Sequence, residues 1–123
     1  MSFEESSPSK NKKETGILTE SSLLCLGKEL NANNFRFFMN LGIPTIQIAI
    51  MKSENDEKGL TYQNLCQKIL LYWLNMRKNA NDKDKVFNLE RALRSSNQMR
   101  LADIVIERYR LNMDLVPAVF KEA

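Results

Sequence analysis

Residues 60–76 read LTYQNLCQKILLYWLNM, a stretch that holds the chain's single Trp. Thr61 is a helix-capping residue, and Tyr62, Leu65, Ile69, Tyr72, Trp73 and Met76 follow at three- and four-residue steps. Leu70, Leu71 and Leu74 widen that stripe beyond one face. A helix apolar on so many sides belongs inside a bundle. The spacing therefore predicts the longest and most buried helix of the domain here, with neighbours on several sides.

Downstream, residues 79–85 (NANDKDK) form a polar break in which Asp82 or Asp84 can cap a new helix. Val86, Leu89 and Leu93 then fall on one face with Ala92 beside them, and Ser95-Ser96-Asn97 ends the run. A further helix is expected from about Gln98 to Leu111, with Leu101, Ala102, Ile104 and Val105 as its apolar set. Pro117 then stops a regular extension. Upstream, Thr19 or Ser21 caps a first helix whose Leu23, Leu26, Gly27 and Leu30 recur at helical steps. Residues 31–34 are a break. A short second helix places Phe35, Phe38 and Met39 on one face and ends at Gly42.

Residues 43–51 (IPTIQIAIM) are two-sided in their signal. Ile46, Ile48 and Ile50 alternate as in a strand, yet Pro44 suits a first helical turn and a lone short strand has nothing to pair with. A short third helix is the expectation, followed by a charged loop over 52–60. The fold class that follows is all-α, a bundle of six antiparallel helices with short connections.

Composition agrees with one globular domain. At 123 residues, 43% hydrophobic and 27% charged, the chain can bury one core, and four Gly with three Pro are too few for the turns of an all-β fold. Residues 1–17 are rich in Ser, Lys and Glu, and a disordered tail is expected there. Cys25 and Cys66 sit in apolar patterns and read as reduced, buried thiols. The N-terminus lacks the apolar core of a secretory signal, and no stretch has the length of a membrane helix. An intracellular chain with no membrane role is the expectation.

Chemistry is sparsely represented. No His is present, which removes the usual neutral-pH base and the commonest zinc ligand. Four scattered Gly build no phosphate loop. Asp103 and Glu107 are four apart, but Arg100 and Arg110 flank them at three-residue steps and suggest surface ion pairs. No enzyme activity, cofactor or metal is expected. Charge is uneven despite a net +3: Arg77, Lys78, Lys83, Lys85, Arg91, Arg94 and Arg100 crowd into residues 77–100, whereas Glu54, Asp56 and Glu57 form an acidic group. Such complementary regions can steer partners together, and a basic stretch can also track a nucleic-acid backbone.

Order and spacing of the core positions resemble those of a death domain, one of the interaction modules of the death-fold superfamily. The likeness spans residues 18–112 and rests on Leu41-Gly42-Ile43, Leu70 with Trp73, Leu89 with Ala92 and Leu93, and Leu101-Ala102. It implies a Greek-key arrangement of the six helices, with 113–123 as a C-terminal tail. It places Ile48 and Met51 in the core and makes Trp73, Leu70, Leu89, Leu93 and Leu101 core anchors. The chain departs from the family in lacking a Trp in its first helix. Its third helix carries Ile46, Ala49 and Ile50 where charge is usual, either as core in another register or as an exposed apolar patch. The implied function is non-catalytic: homotypic assembly with other death-domain proteins, or with itself, in apoptotic or inflammatory signalling in the cytoplasm. Partner contacts are expected at the basic patch (Arg77, Lys78, Lys83, Lys85), the acidic loop (Glu54, Asp56, Glu57) and the apolar patch (Ile46, Ile50). The alternative is a small basic helical domain that binds nucleic acid.

Overall fold

The computed structural model describes residues 15–30 and 35–121, and every regular element among them is a helix. There are seven: α1 Glu20–Glu29, α2 Phe35–Asn40, α3 Thr45–Glu57, α4 Tyr62–Met76, α5 Asp82–Ser95, α6 Met99–Arg110 and α7 Pro117–Lys121. No helix of the described residues is long and apolar enough to cross a membrane. The break expected at 31–34 and residues 1–14 of the expected tail lie outside the described residues.

Local chemistry accounts for the helix ends. Thr19 Oγ1 accepts the Ser22 N–H and caps α1. Thr61 and Asn64 form a reciprocal capping box on α4. Asn81 caps α5 by accepting the Asp84 N–H, so neither Asp82 nor Asp84 is the cap; both lie in the first turn, where carboxylates suit the helix dipole. Gly42 adopts φ +92° just past α2, the left-handed stop that its residue type permits.

The core is one cluster that draws on all seven helices. α4 lies against both α1 and α3, while α5 packs on α2 and α6, and α7 on α6. Trp73, Leu70, Leu89, Leu93 and Ile48 are fully buried, and Leu101 and Met51 nearly so. Gly27 lets α1 approach α4 closely: a Cβ there would sit 2.7 Å from Gln67 Cγ.

Several expectations change. α3 runs on through Glu57, so the acidic group at 54–57 is its last turns rather than a loop. Asn55 occupies the core-facing position one turn beyond Met51, and its Nδ2 donates to the Thr61 carbonyl at 2.9 Å, tying α3 to the start of α4. On α2 the buried pair is Phe37 and Phe38; Phe35 and Met39 face solvent. On α4 the stripe runs through Leu65, Cys66, Ile69, Leu70 and Trp73, leaving Met76 exposed.

Burial continues past both ends of the expected domain. Ile17 and Leu115 are each 1% exposed and Phe120 is buried, so side chains from both segments expected as tails enter the core. Ser22 joins the two ends: its Oγ donates to the Gly16 carbonyl at 2.8 Å and accepts the Leu115 N–H at 3.0 Å. Gly16 N–H in turn donates to Asp114 Oδ1 at 2.7 Å. Pro117, expected only to stop the preceding helix, opens α7 at the position where a missing N–H costs nothing.

Candidate functional site

The exposed face of α5 carries Asp84, Phe87, Asn88, Arg91 and Ser95, spaced three or four apart, while Val86, Leu89 and Leu93 bury the opposite face. That exposed face meets Asn40 at the end of α2 and Arg77, the C-cap of α4, to line a cleft of about 390 Å³. Asn88 organises it. Its Oδ1 accepts the Trp73 indole N–H and an Arg77 guanidinium N–H, both at 2.9 Å, while its Nδ2 makes a long 3.5 Å contact to the Asn40 carbonyl. A fully buried Trp therefore fixes, through one amide, where the Arg77 guanidinium stands. Arg91 lies over the Phe87 ring, 5.5 Å from its centroid, and Phe87 is 56% exposed.

A second surface lies on α3. Ile46 is 70% exposed and Ile50 44%, with Ala49 also exposed between them, so this set is surface and not core in another register. A shallow groove runs beside it, lined by Phe35, Ala49, Lys52, Ser53, Asp56 and Glu57.

The expected basic patch divides. Arg77 enters the α5 cleft, and Lys78 and Lys83 are exposed. Lys85 is largely buried, and its Nζ lies 3.7 Å from Asp82 Oδ1. Lys83 and Lys85 both belong to the first turns of α5 rather than to a loop. Further along, Arg94 bonds Glu90 at 2.8 Å and Asp103 at 2.9 Å. Those two carboxylates, Glu90 foremost, raise its already high pKa. Asp103 thus pairs with Arg94 rather than with Arg100, whose guanidinium donates to the Phe120 carbonyl; Arg110 pairs with Glu107 as the spacing suggests. Glu54, Asp56 and Glu57 are all exposed, and Asp56 pairs with Lys52 at 3.0 Å.

Asn40 and Asn88 were not singled out in the sequence. The signal for Asn88 existed in the 84/87/88/91/95 spacing, but nothing local links position 40 to position 88. Cys66 is buried and Cys25 only half-buried; both thiols are free. Desolvation pushes the Cys66 thiol up to about 11. Comparison of the chain with protein-family models, with curated proteins and with solved structures found no match to any of them.

Proposed function

We propose that this chain is a non-catalytic protein-interaction module of the death-domain type, which assembles with other death domains or with copies of itself. The reading places it in apoptotic or inflammatory signalling in the cytoplasm and arranges α1–α6 as a Greek-key bundle. One observation carries it. α3 buries Ile48 and Met51 while turning Ile46, Ala49 and Ile50 to solvent, beside the exposed Phe35. A helix with apolar side chains on both faces has one face to spare for a partner.

Charge supports the same reading. α4 spans 15 residues, about 22 Å at the helical rise, and the acidic turns of α3 adjoin its start while Arg77 and Lys78 follow its end. Opposite signs at opposite ends suit a contact between unlike faces, the kind that leaves ends open for growth. Nucleic-acid binding has less behind it, because Lys85 is buried and Arg94 is engaged by two carboxylates.

Sedimentation velocity of the chain, alone and mixed with purified death domains, tests the proposal. Concentration-dependent assembly is expected, lost in the Ile46→Lys/Ile50→Lys variant and weakened by Lys78→Glu/Lys83→Glu. A chain that stays monomeric, binds none of the death domains, and instead binds DNA or RNA with a steep salt dependence overturns it.

A further inference from the structure

The α5 cleft holds two arginines without a carboxylate partner. The salt bridges among the described residues involve neither Arg77 nor Arg91, although Asp84 lines the same cleft. Arg77 is positioned by Asn88 through one of its five N–H groups, and Asn88 Oδ1 has both lone pairs occupied by Trp73 and Arg77. Arg91 lies over the Phe87 ring, and no carboxylate among the described residues pairs with its guanidinium. A fixed, uncompensated guanidinium beside a second one is an arrangement built for an anion.

The kind of anion follows from the other groups. Two arginines against Asp84 leave a single net positive charge, which matches one carboxylate and disfavours a phosphate dianion or a nucleic-acid backbone. The exposed Phe87 ring offers an apolar surface directly beside the charges. A volume of about 390 Å³ lies at the lower end of ligand-sized pockets, roughly 300–1,000 Å³, enough for one side chain and part of its neighbour.

We propose that this cleft receives a Glu or Asp side chain of a partner protein, its carboxylate held by Arg77 and Arg91 and an adjacent apolar residue laid on Phe87. The proposal rests on the interaction-module reading above and assigns the chemistry that the cleft recognises. It also makes Asn88 a positioning residue, since that amide aims Arg77.

Titration of the full ¹⁵N-labelled chain with N-acetyl-Glu-Phe-amide provides the test, with N-acetyl-Gln-Phe-amide and inorganic phosphate as the other arms. The single Trp gives one indole N–H resonance, which reports on the Asn88 oxygen directly. The Glu peptide is expected to shift that resonance and the Arg77 side-chain N–H saturably, in the millimolar range, and the Gln peptide is not. Arg91→Gln, a change at an exposed side chain, should weaken the Glu peptide about tenfold, the effect of one lost charge-assisted hydrogen bond. Asp84→Asn should tighten it. Equal responses to the Gln peptide, tighter binding of phosphate, or an Arg91→Gln variant that binds like wild type would each overturn the assignment. Failure of the two readings is distinguishable. A chain that binds the Glu peptide but never assembles keeps the cleft and loses the module, whereas one that assembles through α3 without binding the peptide loses the cleft alone.

Discussion

Gly27→Ala should destabilise this protein, against the ordinary direction of that change. In the middle of a helix Ala is favoured over Gly by about 1 kcal/mol, and Gly27 lies inside α1. But the new Cβ would meet Gln67 Cγ at 2.7 Å and Gln67 Cα and N at 3.1 Å. The Cγ cannot swing aside freely, because Gln67 Nε2 donates to the Leu24 carbonyl at 2.9 Å and a new rotamer would break that bond. The two backbone atoms can yield only if α1 and α4 move apart, and that pair anchors the core. Overpacking of this kind costs about 1–3 kcal/mol, and the hydrogen bond about 1 kcal/mol more. Set against the propensity gain, the net loss is about 1–3 kcal/mol. For a domain of this size that lowers Tm by roughly 5–15 °C. Thermal unfolding followed by circular dichroism gives the value, and the same substitution in a Gln67→Ala background isolates the clash. There the Cγ contact is gone, so Gly27→Ala should cost at least about 0.5 kcal/mol less than in the wild type. A Gly27→Ala protein that melts at or above the wild-type temperature would refute the close α1–α4 packing.

Three further outcomes can be measured on the same preparation. Trp73→Ala removes a fully buried indole and its bond to Asn88, and should cost roughly 3–5 kcal/mol in urea unfolding; a variant with an unchanged midpoint contradicts the α4 register. Asn55→Ala should cost about 1–2 kcal/mol through the lost tie from α3 to the Thr61 carbonyl, and a neutral result would mean that the tie contributes nothing. The Cys66 thiol, held near 11 when folded against an ordinary 9.0, keeps its proton while an unfolded chain loses one. Stability is thus unaffected by this group below pH 9 and falls as pH rises from 9 to 11, by on the order of 2 kcal/mol; Cys66→Ala should flatten that slope, and one equally steep would refute the cause.

How much of this was legible in the sequence depends on whether a periodic signal was interrupted. α1, α4 and α5 are readable because their apolar residues recur at helical steps behind a capping side chain, and α6 from its period alone. The far end of α3 is hidden because its core stripe continues through a polar residue. Ile48, Met51 and Asn55 keep the helical step, but Asn reads as solvent-facing until the Thr61 carbonyl it serves is in view. On α2 the period identifies Phe38 but not Phe37 as buried, because four of its first five residues are apolar and period alone selects no face. The C-terminal segment is illegible because Leu115, Val119 and Phe120 are too few for a pattern and the backbone tie at Leu115 comes from Ser22, distant in sequence.

The candidate sites follow the same rule with a different consequence. Clustered charge in the sequence marks a basic region, but charge carries no period, and whether a lysine or arginine is committed depends on its burial and on carboxylates both in its own helix and in the next. Arg94 is claimed by Glu90 in its own helix and by Asp103 from α6, and Lys85 is largely buried with its Nζ 3.7 Å from Asp82 Oδ1. Arg77 is spared a carboxylate and held by an amide instead, and that distinction separates a solvated charge from an aimed one. A guanidinium in water must lose rotamer freedom to meet a partner, while one already fixed by Asn88 has lost it on folding. Of the basic residues counted in the sequence, Arg77 is therefore the one whose contact with a partner's carboxylate would contribute most, and Lys78, next to it and exposed, the one whose contribution should be screened away by salt.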